Sequence, residues 1–242
     1  PAPAPTPRQR FVAVPRFVEL LVVADEAMAR FHGPGLRPYL LTVLAAAARA
    51  FAHASLGNAV DLRVTRLLVL GEGTPGPPMT PNAAQMLRDF CRWQRGLNDP
   101  DENSPLHFDA AILFTRQDLC GATTCDTLGM ADVGTMCDPE RSCAIVEDDG
   151  LQAAFTAAHE LAGHIFNMVH DTAQPCHELN SRAGAVRRVM APVLSSLEPG
   201  EMWSPCSARF ITDYLDNGHG RTWYRVSRYG QVPSQYAASQ YG

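Results

Sequence analysis

Residues 159–171 read His-Glu-Leu-Ala-Gly-His-Ile-Phe-Asn-Met-Val-His-Asp and place three imidazoles and a carboxylate within thirteen residues. This composition is typical of a zinc site, because neutral imidazole is a good zinc ligand and three protein ligands leave a fourth position for water. Glu160, which follows the first histidine, is suited to take a proton from that water. The stretch therefore predicts a hydrolytic metal site.

The spacing of the first two histidines departs from the zinc-protease pattern H-E-x-x-H, in which they lie four residues apart on one helix face. His159 and His164 are five residues apart, with Ala162 as the extra residue. In a regular helix this step separates them by about 140° around the axis, too far for one ion. Two outcomes stay open. A π-bulge absorbs the extra residue, or the helix stays regular and Glu160 takes the first ligand's place, which binds metal but loses the general base.

Length and composition bound the class of protein. The 242 residues fit one large domain or two small ones, and their 46% hydrophobic content supports a core. No apolar run reaches the roughly eighteen residues that cross a membrane. The formal net charge is −5 and all twenty basic residues are scattered arginines, so no nucleic-acid partner is indicated.

Cysteine usage indicates an oxidising, extracellular compartment. The seven cysteines lie at 91, 120, 125, 137, 143, 176 and 206, mostly in loop-like sequence and not in tight metal-ligand pairs. Their odd number leaves at least one thiol without an intrachain partner. No signal peptide precedes the domain, which is therefore interpreted as a mature fragment.

Alternating strand and helix patterns predict an α/β sheet with helical crossovers. Strands are expected at 17–24, 60–70 and 108–115, with an edge strand at 128–134 and a further short apolar segment at 144–149. Helices are expected at 35–56, at 82–98 and at 204–216. Another helix is expected to begin near residue 150 and to run through the metal cluster. Residues 1–10 are proline-rich and are expected to form a disordered leader, the remnant of a pro-segment. Residues 221–242 show no packed pattern and are expected to form a divergent, disordered tail.

Over residues 11–220 the chain resembles the catalytic domain of the ADAMTS family of secreted zinc metalloproteases, in the aggrecanase branch. The most specific stretches are residues 17–25, LHFDAAILFTRQDLCG (106–121), TCDTLGMADVG (124–134), CAIVEDDGLQAAFTAAHE (143–160), GHIFNMVHD (163–171), MAP (190–192) and WSPCSARFITDYLDNGHG (203–220). The resemblance implies a metzincin (zincin-like) α/β fold. This fold has a mixed, mostly parallel five-stranded sheet, three long helices, and an active-site cleft between upper and lower subdomains.

The resemblance also implies the roles of the site residues. Zn²⁺ would be held by His159, His164 and His170, with Glu160 as general base and Met190 as the methionine turn beneath the metal. Two Ca²⁺ sites are implied, one formed by Glu19, Glu102 and Asp109, and another by Asp118, Leu119, Cys125, Thr127 and Glu147. The implied disulfides join Cys91 to Cys143, Cys120 to Cys125, and Cys176 to Cys206.

The function implied is that of a secreted, monomeric zinc endopeptidase of the extracellular matrix. Its partners would be matrix proteins, such as the proteoglycan core protein aggrecan, and protein inhibitors of metalloproteases. The chain departs from the family pattern after Gly220. From the resemblance, Cys137 is therefore expected to be unpaired, the first calcium site to lack its last ligands, and the ancillary domains to be absent. Ala162 is the other departure, and it supports an alternative: a catalytically inactive relative that acts only as a binding module.

Overall fold

The computed structural model describes residues 16–71, 73–181, 187–193 and 202–219. The strands are β1 Arg16–Ala24, β2 Val60–Val69, β3 Ala110–Thr115, β4 Gly129–Ala131 and β5 Cys143–Glu147. They form one sheet in the order β2-β1-β3-β5-β4, parallel throughout except for β4, which pairs antiparallel with β5 at the edge. The predicted mixed, mostly parallel five-stranded sheet is therefore confirmed. The predicted leader at 1–10 and tail at 221–242 lie outside the described residues.

The helices are α1 Glu26–His32, α2 Leu36–Phe51, α3 Ala83–Arg95, α4 Ala153–Ala158, α5 His177–Asn180 and α6 Pro205–Tyr214. Two segments are π-helical, His159–His164 after α4 and Leu215–His219 after α6. The helix expected over 35–56 ends at Phe51, and a separate 3-10 turn covers Ala54–Leu56. Helix α1 was not predicted, because its seven residues bury only Met28 and so show no apolar stripe.

The central strands are covered on both faces. Every residue from Leu20 to Ala24 in β1 and every residue of β3 is buried, as expected for parallel strands between two layers of helices. Successive residues of β1 point to opposite sides, so Leu20 packs in one core with α2, α4 and α6, while Leu21 packs in another with α3. The helix that carries the metal cluster therefore lies on the face opposite α3.

Three disulfides cross-link the described part of the chain, and one of them joins a helix to this sheet. They are Cys91–Cys143, Cys120–Cys125 and Cys176–Cys206, the pairs that the resemblance implied. The first joins α3 to β5, and the third joins the segment before α5 to α6. The seventh cysteine, Cys137, is half-buried. Among the described residues, no helix is both long and apolar enough to cross a membrane.

Candidate active site

The first two histidines lie on a π-helical segment that continues α4. In this segment the amide of Ile165 donates to the carbonyl of Glu160, five residues earlier, at 3.3 Å. A π segment accommodates one more residue than an α-helix over the same turn, so Ala162 is absorbed by the backbone. As a result the Nε2 atoms of His159 and His164 lie 3.2 Å apart. Of the two outcomes left open by the spacing, the structure has the π-bulge.

The third histidine reaches the other two because the helix ends early. Asn167 has a φ of 70°, a left-handed conformation that asparagine tolerates better than most residues. The chain turns there, and the His170 ring lies 5.2 Å from the His159 ring and 5.0 Å from the His164 ring, centroid to centroid. One nitrogen of each ring lies within 4.8 Å of the others.

The donor set of this histidine cluster fits zinc. Two nitrogens bound tetrahedrally at about 2.0–2.1 Å from one ion would be separated by roughly 3.3 Å, close to the spacing of His159 and His164. The Nδ1 atom of His159 lies 2.7 Å from the carbonyl oxygen of Val189, and that of His164 lies 3.1 Å from the carbonyl oxygen of Met168. A carbonyl accepts the Nδ1 proton and leaves the Nε2 lone pair free for a metal.

Electrostatics favour the neutral imidazoles that a metal requires. Burial lowers the pKa of His159 to about 3, and it also lowers the pKa of His164 and His170. Only a deprotonated nitrogen can donate its lone pair, so a depressed pKa keeps the cluster in its ligating form. Among the described residues, no other group of three or more histidine, cysteine or acidic side chains has its possible ligand atoms all within 4.8 Å of one another.

Glu160 lies beside the histidines as a buried carboxylate. It is 5% exposed, and its Oε2 atom makes no hydrogen bond within the described part of the chain. Burial raises the pKa of Glu160 to about 8. A buried carboxyl group without a hydrogen-bond partner costs free energy of folding. Groups whose pKa is strongly shifted by burial concentrate at catalytic sites. Its position makes it a candidate general base.

Strand β4 covers Glu160 closely enough to require glycine. A Cβ atom added to Gly129 would lie 2.9 Å from Cγ and 3.0 Å from Oε1 of Glu160, and 2.8 Å from Cγ2 of Thr156. The backbone of β4 therefore forms one wall of a cleft of about 450 Å³. Ala191, Pro192 and Val193 line the same cleft. Sequence reasoning did not assign Thr156, Ala191 or Val193 to the site, since small and apolar side chains carry no chemical signal.

The segment at 187–193 supports the histidines from below. Met190 is fully buried, and a Cβ atom on Gly163 would lie 2.1 Å from its Sδ atom. The Met190 carbonyl accepts a hydrogen bond from the amide of Asp171 at 2.8 Å. The predicted methionine turn thus lies directly against the π segment and the end of the metal cluster.

Asp171 anchors the third histidine to helix α6, a role that the sequence did not reveal. Its Oδ1 atom accepts hydrogen bonds from the hydroxyls of Ser204 at 2.5 Å and Ser207 at 3.4 Å. Ser204 also caps α6 by accepting from the amide of Ser207 at 3.0 Å. The residue after His170 is therefore held by the first turn of α6.

Of the first set of expected calcium ligands, Glu19 and Asp109 lie in contact at one end of the sheet. The amide of Glu19 donates to Oδ2 of Asp109 at 2.8 Å. Burial raises the pKa of Glu19, and the charges of Asp109 and Glu102 add to this effect. His107 also belongs to this group, since its Nε2 atom lies 3.6 Å from Oδ1 of Asp109.

Of the second expected set, Leu119 and Glu147 are in direct contact. The Oε2 atom of Glu147 accepts from the amide of Leu119 at 2.8 Å, and the Leu119 carbonyl accepts from the amide of Thr127 at 3.3 Å. Burial raises the pKa of Glu147, and the charge of Asp118 adds to this effect. Cys125 lies in the same loop through its disulfide to Cys120.

Comparisons with known proteins agree with this geometry. The family model Reprolysin_5, described as Metallo-peptidase family M12, matches residues 14–203. The Mus musculus protein named "A disintegrin and metalloproteinase with thrombospondin motifs 4" is 66% identical over 220 residues, which make up 91% of this chain and 26% of the relative. The corresponding "motifs 1" protein of Mus musculus is 58% identical over 213 residues, or 88% of this chain and 22% of the relative.

The chain thus spans about a quarter of the length of these curated relatives. Among solved structures, one titled "Structure of a chaperone-substrate complex" aligns with a TM-score of 0.54 at 11% identity, over 84% of this chain and 34% of that one. At this identity the likeness is one of fold alone.

Proposed function

The chain belongs to metallo-peptidase family M12, and on that premise we propose that it is a zinc-dependent endopeptidase with Glu160 as its general base. The observation that carries the proposal is the π segment. It brings the Nε2 atoms of His159 and His164 to 3.2 Å in spite of the extra residue. It does so without recruiting Glu160, whose Oε2 atom stays unpartnered within the described residues.

His159, His164 and His170 would hold the zinc ion. When bound, zinc supplies a Lewis acid that lowers the pKa of water and polarises a carbonyl. Glu160 would accept the proton of the attacking water at its carboxylate and later donate it to the leaving amine of the cleaved peptide bond.

Strand β4 would position the substrate. It is the last strand of the sheet, so one of its edges carries backbone groups that no strand of the sheet pairs. An extended peptide can add to such an edge by backbone hydrogen bonds, with its side chains alternating between the two faces. Gly129, in this strand, lies within van der Waals reach of Glu160, so a peptide on β4 would pass beside the catalytic base.

The substrates that we propose are extracellular-matrix proteins, in particular proteoglycan core proteins such as aggrecan. The family resemblance supports this class of substrate, and the three disulfides support secretion into an oxidising compartment. Protein inhibitors of metalloproteases would be further partners, and the domain would act as a monomer.

Calcium would occupy the two carboxylate clusters described above. The support is electrostatic: Glu19 and Glu147 both have a raised pKa from burial and from neighbouring carboxylates, and a hard cation would relieve this repulsion. Calcium should therefore raise the melting temperature of the chain, and Glu19→Gln together with Glu147→Gln should abolish that increase. An equal increase in the double variant would contradict the proposal.

Deletion of Ala162 tests whether the π segment supports catalysis. The intact chain and the deletion variant should each bind one zinc ion and cleave a peptide substrate, with rates within about tenfold, because both backbones place the two histidines on one side of the helix. The measurements are zinc content by atomic absorption and kcat/KM on a fluorogenic peptide. Activity in the deletion variant alone would identify the chain as an inactive relative, and absence of zinc from both would overturn the metal site itself.

A further inference from the structure

The disulfide between Cys120 and Cys125 differs from the other two in its access to solvent. Cys125 is exposed and Cys120 is half-buried. The other two bonds are formed by cysteines that are at most 8% exposed, namely Cys91, Cys143, Cys176 and Cys206. A thiolate must reach a disulfide sulfur to exchange with it, so access decides which bond reacts. We propose that Cys120–Cys125 is a site of thiol–disulfide exchange with a small thiol of the glutathione type, and that its state controls the catalytic cleft.

The short ring closed by this bond also makes it the least costly of the three to open. Its cysteines are five positions apart in the sequence, whereas the other bonds join residues 52 and 30 positions apart. In the chain-entropy account, a disulfide that closes a shorter loop stabilises the fold less, so less stability is lost when it opens. The bond that a thiol reaches is therefore also the bond that the fold can best do without.

The two ends of the ring are held unequally by the backbone. The amide of Cys120 donates to the carbonyl of Pro81 at 2.7 Å, and the carbonyl of Cys120 accepts from the amide of Ala83 at 3.0 Å. These bonds tie Cys120 to the start of α3. Cys125 makes no backbone hydrogen bond to any other residue that the structure describes. Opening the ring therefore releases Cys125 while Cys120 stays in place.

The exchange begins with attack of the external thiolate on Sγ of Cys125, the exposed sulfur. A bond forms between these two sulfurs, the Cys120–Cys125 bond breaks, and its electron pair leaves on Sγ of Cys120, which takes up a proton. A second external thiolate then attacks the sulfur of the bound thiol and releases Cys125 as a thiol. The chain gains two electrons and two protons, and two external thiols become one disulfide.

The loop inside the ring has few other attachments. The amide of Gly121 donates to the carbonyl of Thr124 at 2.8 Å, and the amide of Thr127 donates to the carbonyl of Leu119 at 3.3 Å. Both bonds are local. Within the described part of the chain, no hydrogen bond joins residues 121–126 to a helix or a strand. Without the disulfide, this loop is free to change its conformation.

The residues after Cys125 connect the bond to the catalytic cleft, and this step rests on the proposed function. Asp126, Thr127 and Leu128 line the cleft. Leu128 is fixed to the sheet, because its carbonyl accepts from the amide of Glu147 at 2.8 Å. An open ring thus leaves Asp126 and Thr127 on a segment anchored at its far end alone. That part of the wall loses its fixed shape, and peptide cleavage slows.

Exchange at this bond is tested by mapping the reduced cysteines of the full chain. Thiols that react before reduction are blocked with N-ethylmaleimide, and the chain is then incubated with graded concentrations of reduced glutathione. New thiols are labelled with iodoacetamide and located by peptide mass spectrometry. Cys120 and Cys125 should be labelled at least about tenfold faster than the four buried cysteines, with the glutathione adduct on Cys125. Labelling of all six cysteines at one rate, or an adduct confined to Cys120, would overturn the proposal.

Control of the cleft is tested by cleavage of a fluorogenic peptide. Free thiols also bind zinc, so the glutathione is removed by gel filtration before the assay. The reduced, alkylated chain should show a kcat/KM about tenfold lower at unchanged zinc content, because peptide binding must then order the loop. Reoxidation of a reduced, unalkylated sample with oxidised glutathione should restore the rate. The variant C120S/C125S should match the reduced chain and should not respond to glutathione.

The remaining outcomes each bear on a different step. An unchanged rate after reduction, or a loss of rate that follows loss of zinc, would overturn the control of the cleft. If C120S/C125S does not fold, hydrogen exchange of the reduced chain decides: amides at 121–127 should exchange faster while those of β1 and β3 stay protected, and the absence of this local change would overturn the proposal. A chain that cleaves no peptide in either state would contradict the proposed function, whereas the mapping of cysteines still tests the exchange.

Discussion

Helix α3 and the helix formed by α4 and its π segment pack on opposite faces of the same sheet, and they differ in almost every respect. Helix α3 is regular, is capped by Asn82, and is joined to β5 by the Cys91–Cys143 disulfide. The other helix has no side-chain cap, changes from α to π geometry at His159, and buries the carboxylate of Glu160. Regular helical structure and apolar burial stabilise α3. The helix formed by α4 and its π segment instead carries His159, His164 and Glu160, at a cost in stability.

The largest difference between the two helices should appear when α3 receives an extra residue of its own. Insertion of one alanine between Leu87 and Arg88 would rotate the rest of α3 by about 100° and carry Phe90 and Cys91 out of the core. We expect a loss of more than about 5 kcal/mol in the free energy of unfolding, from lost burial and a strained or missing disulfide.

Denaturant unfolding of this variant beside the deletion of Ala162 provides the measurement. The deletion should preserve or raise stability, since it replaces a π segment by a regular helix. If the α3 insertion is tolerated as well, absorption of an extra residue is not a special property of the catalytic helix, and the contrast between the two helices fails.

The next effect concerns the buried polar group in the catalytic helix. Glu160→Gln should lower kcat/KM by about 10²- to 10⁴-fold, because glutamine cannot accept and return a proton. The melting temperature should stay the same or rise, since Oε2 has no hydrogen-bond partner among the described residues and the substitution breaks no bond at that atom. Zinc content should remain at one ion per chain, and a parallel loss of zinc would indicate a ligand instead of a base.

Gln94 is the matched buried polar group in α3. It is 1% exposed, and its Nε2 atom donates to the carbonyls of Cys91 at 3.1 Å and Pro139 at 3.0 Å. Gln94→Ala leaves the Pro139 carbonyl without this donor and should cost about 1–3 kcal/mol of stability. Peptide cleavage should be unchanged. A loss of activity at constant stability would show that α3 also serves the site.

The sequence predicted the scaffold better than the site, for a physical reason. The second half of β1, from Leu20 to Ala24, and most of β3 are continuous apolar runs, and α3 has a clear apolar stripe, so local pattern determined these elements. The disulfide partners came from the family resemblance, because spacing alone does not fix connectivity. Helix α1 was missed since it buries only Met28.

The choice between a π and a regular helix could not be made from the sequence because tertiary contacts determine it. The carbonyls of Val189 and Met168 orient the two imidazoles, and both are backbone atoms with no signature in the sequence. The same holds for the anchor from Asp171 to α6, which joins residues more than thirty positions apart. Such contacts depend on where loops return to the sheet, which local patterns do not specify.

The smallest expected effect comes from adding one methyl group to each helix. Gly163→Ala would place a Cβ atom 2.1 Å from Sδ and 2.3 Å from Cε of Met190, which is fully buried. Repacking should cost about 1–3 kcal/mol and should weaken zinc binding, because the π segment must move away from the methionine turn. Gly96→Ala, at the end of α3, meets only the Trp93 carbonyl at 3.5 Å and has a φ of −69°. It should be neutral or stabilise by up to about 1 kcal/mol.

A double-mutant cycle identifies the contact responsible. In a Met190→Ala background the side chain that Gly163→Ala would strike is shortened, so the added methyl group should cost less there than in the intact chain. The readouts are the free energy of unfolding and the zinc dissociation constant. Equal costs in both backgrounds would mean that the glycine is needed by the backbone of the π segment itself. The absorption of Ala162 would then depend on local conformation and not on the methionine turn.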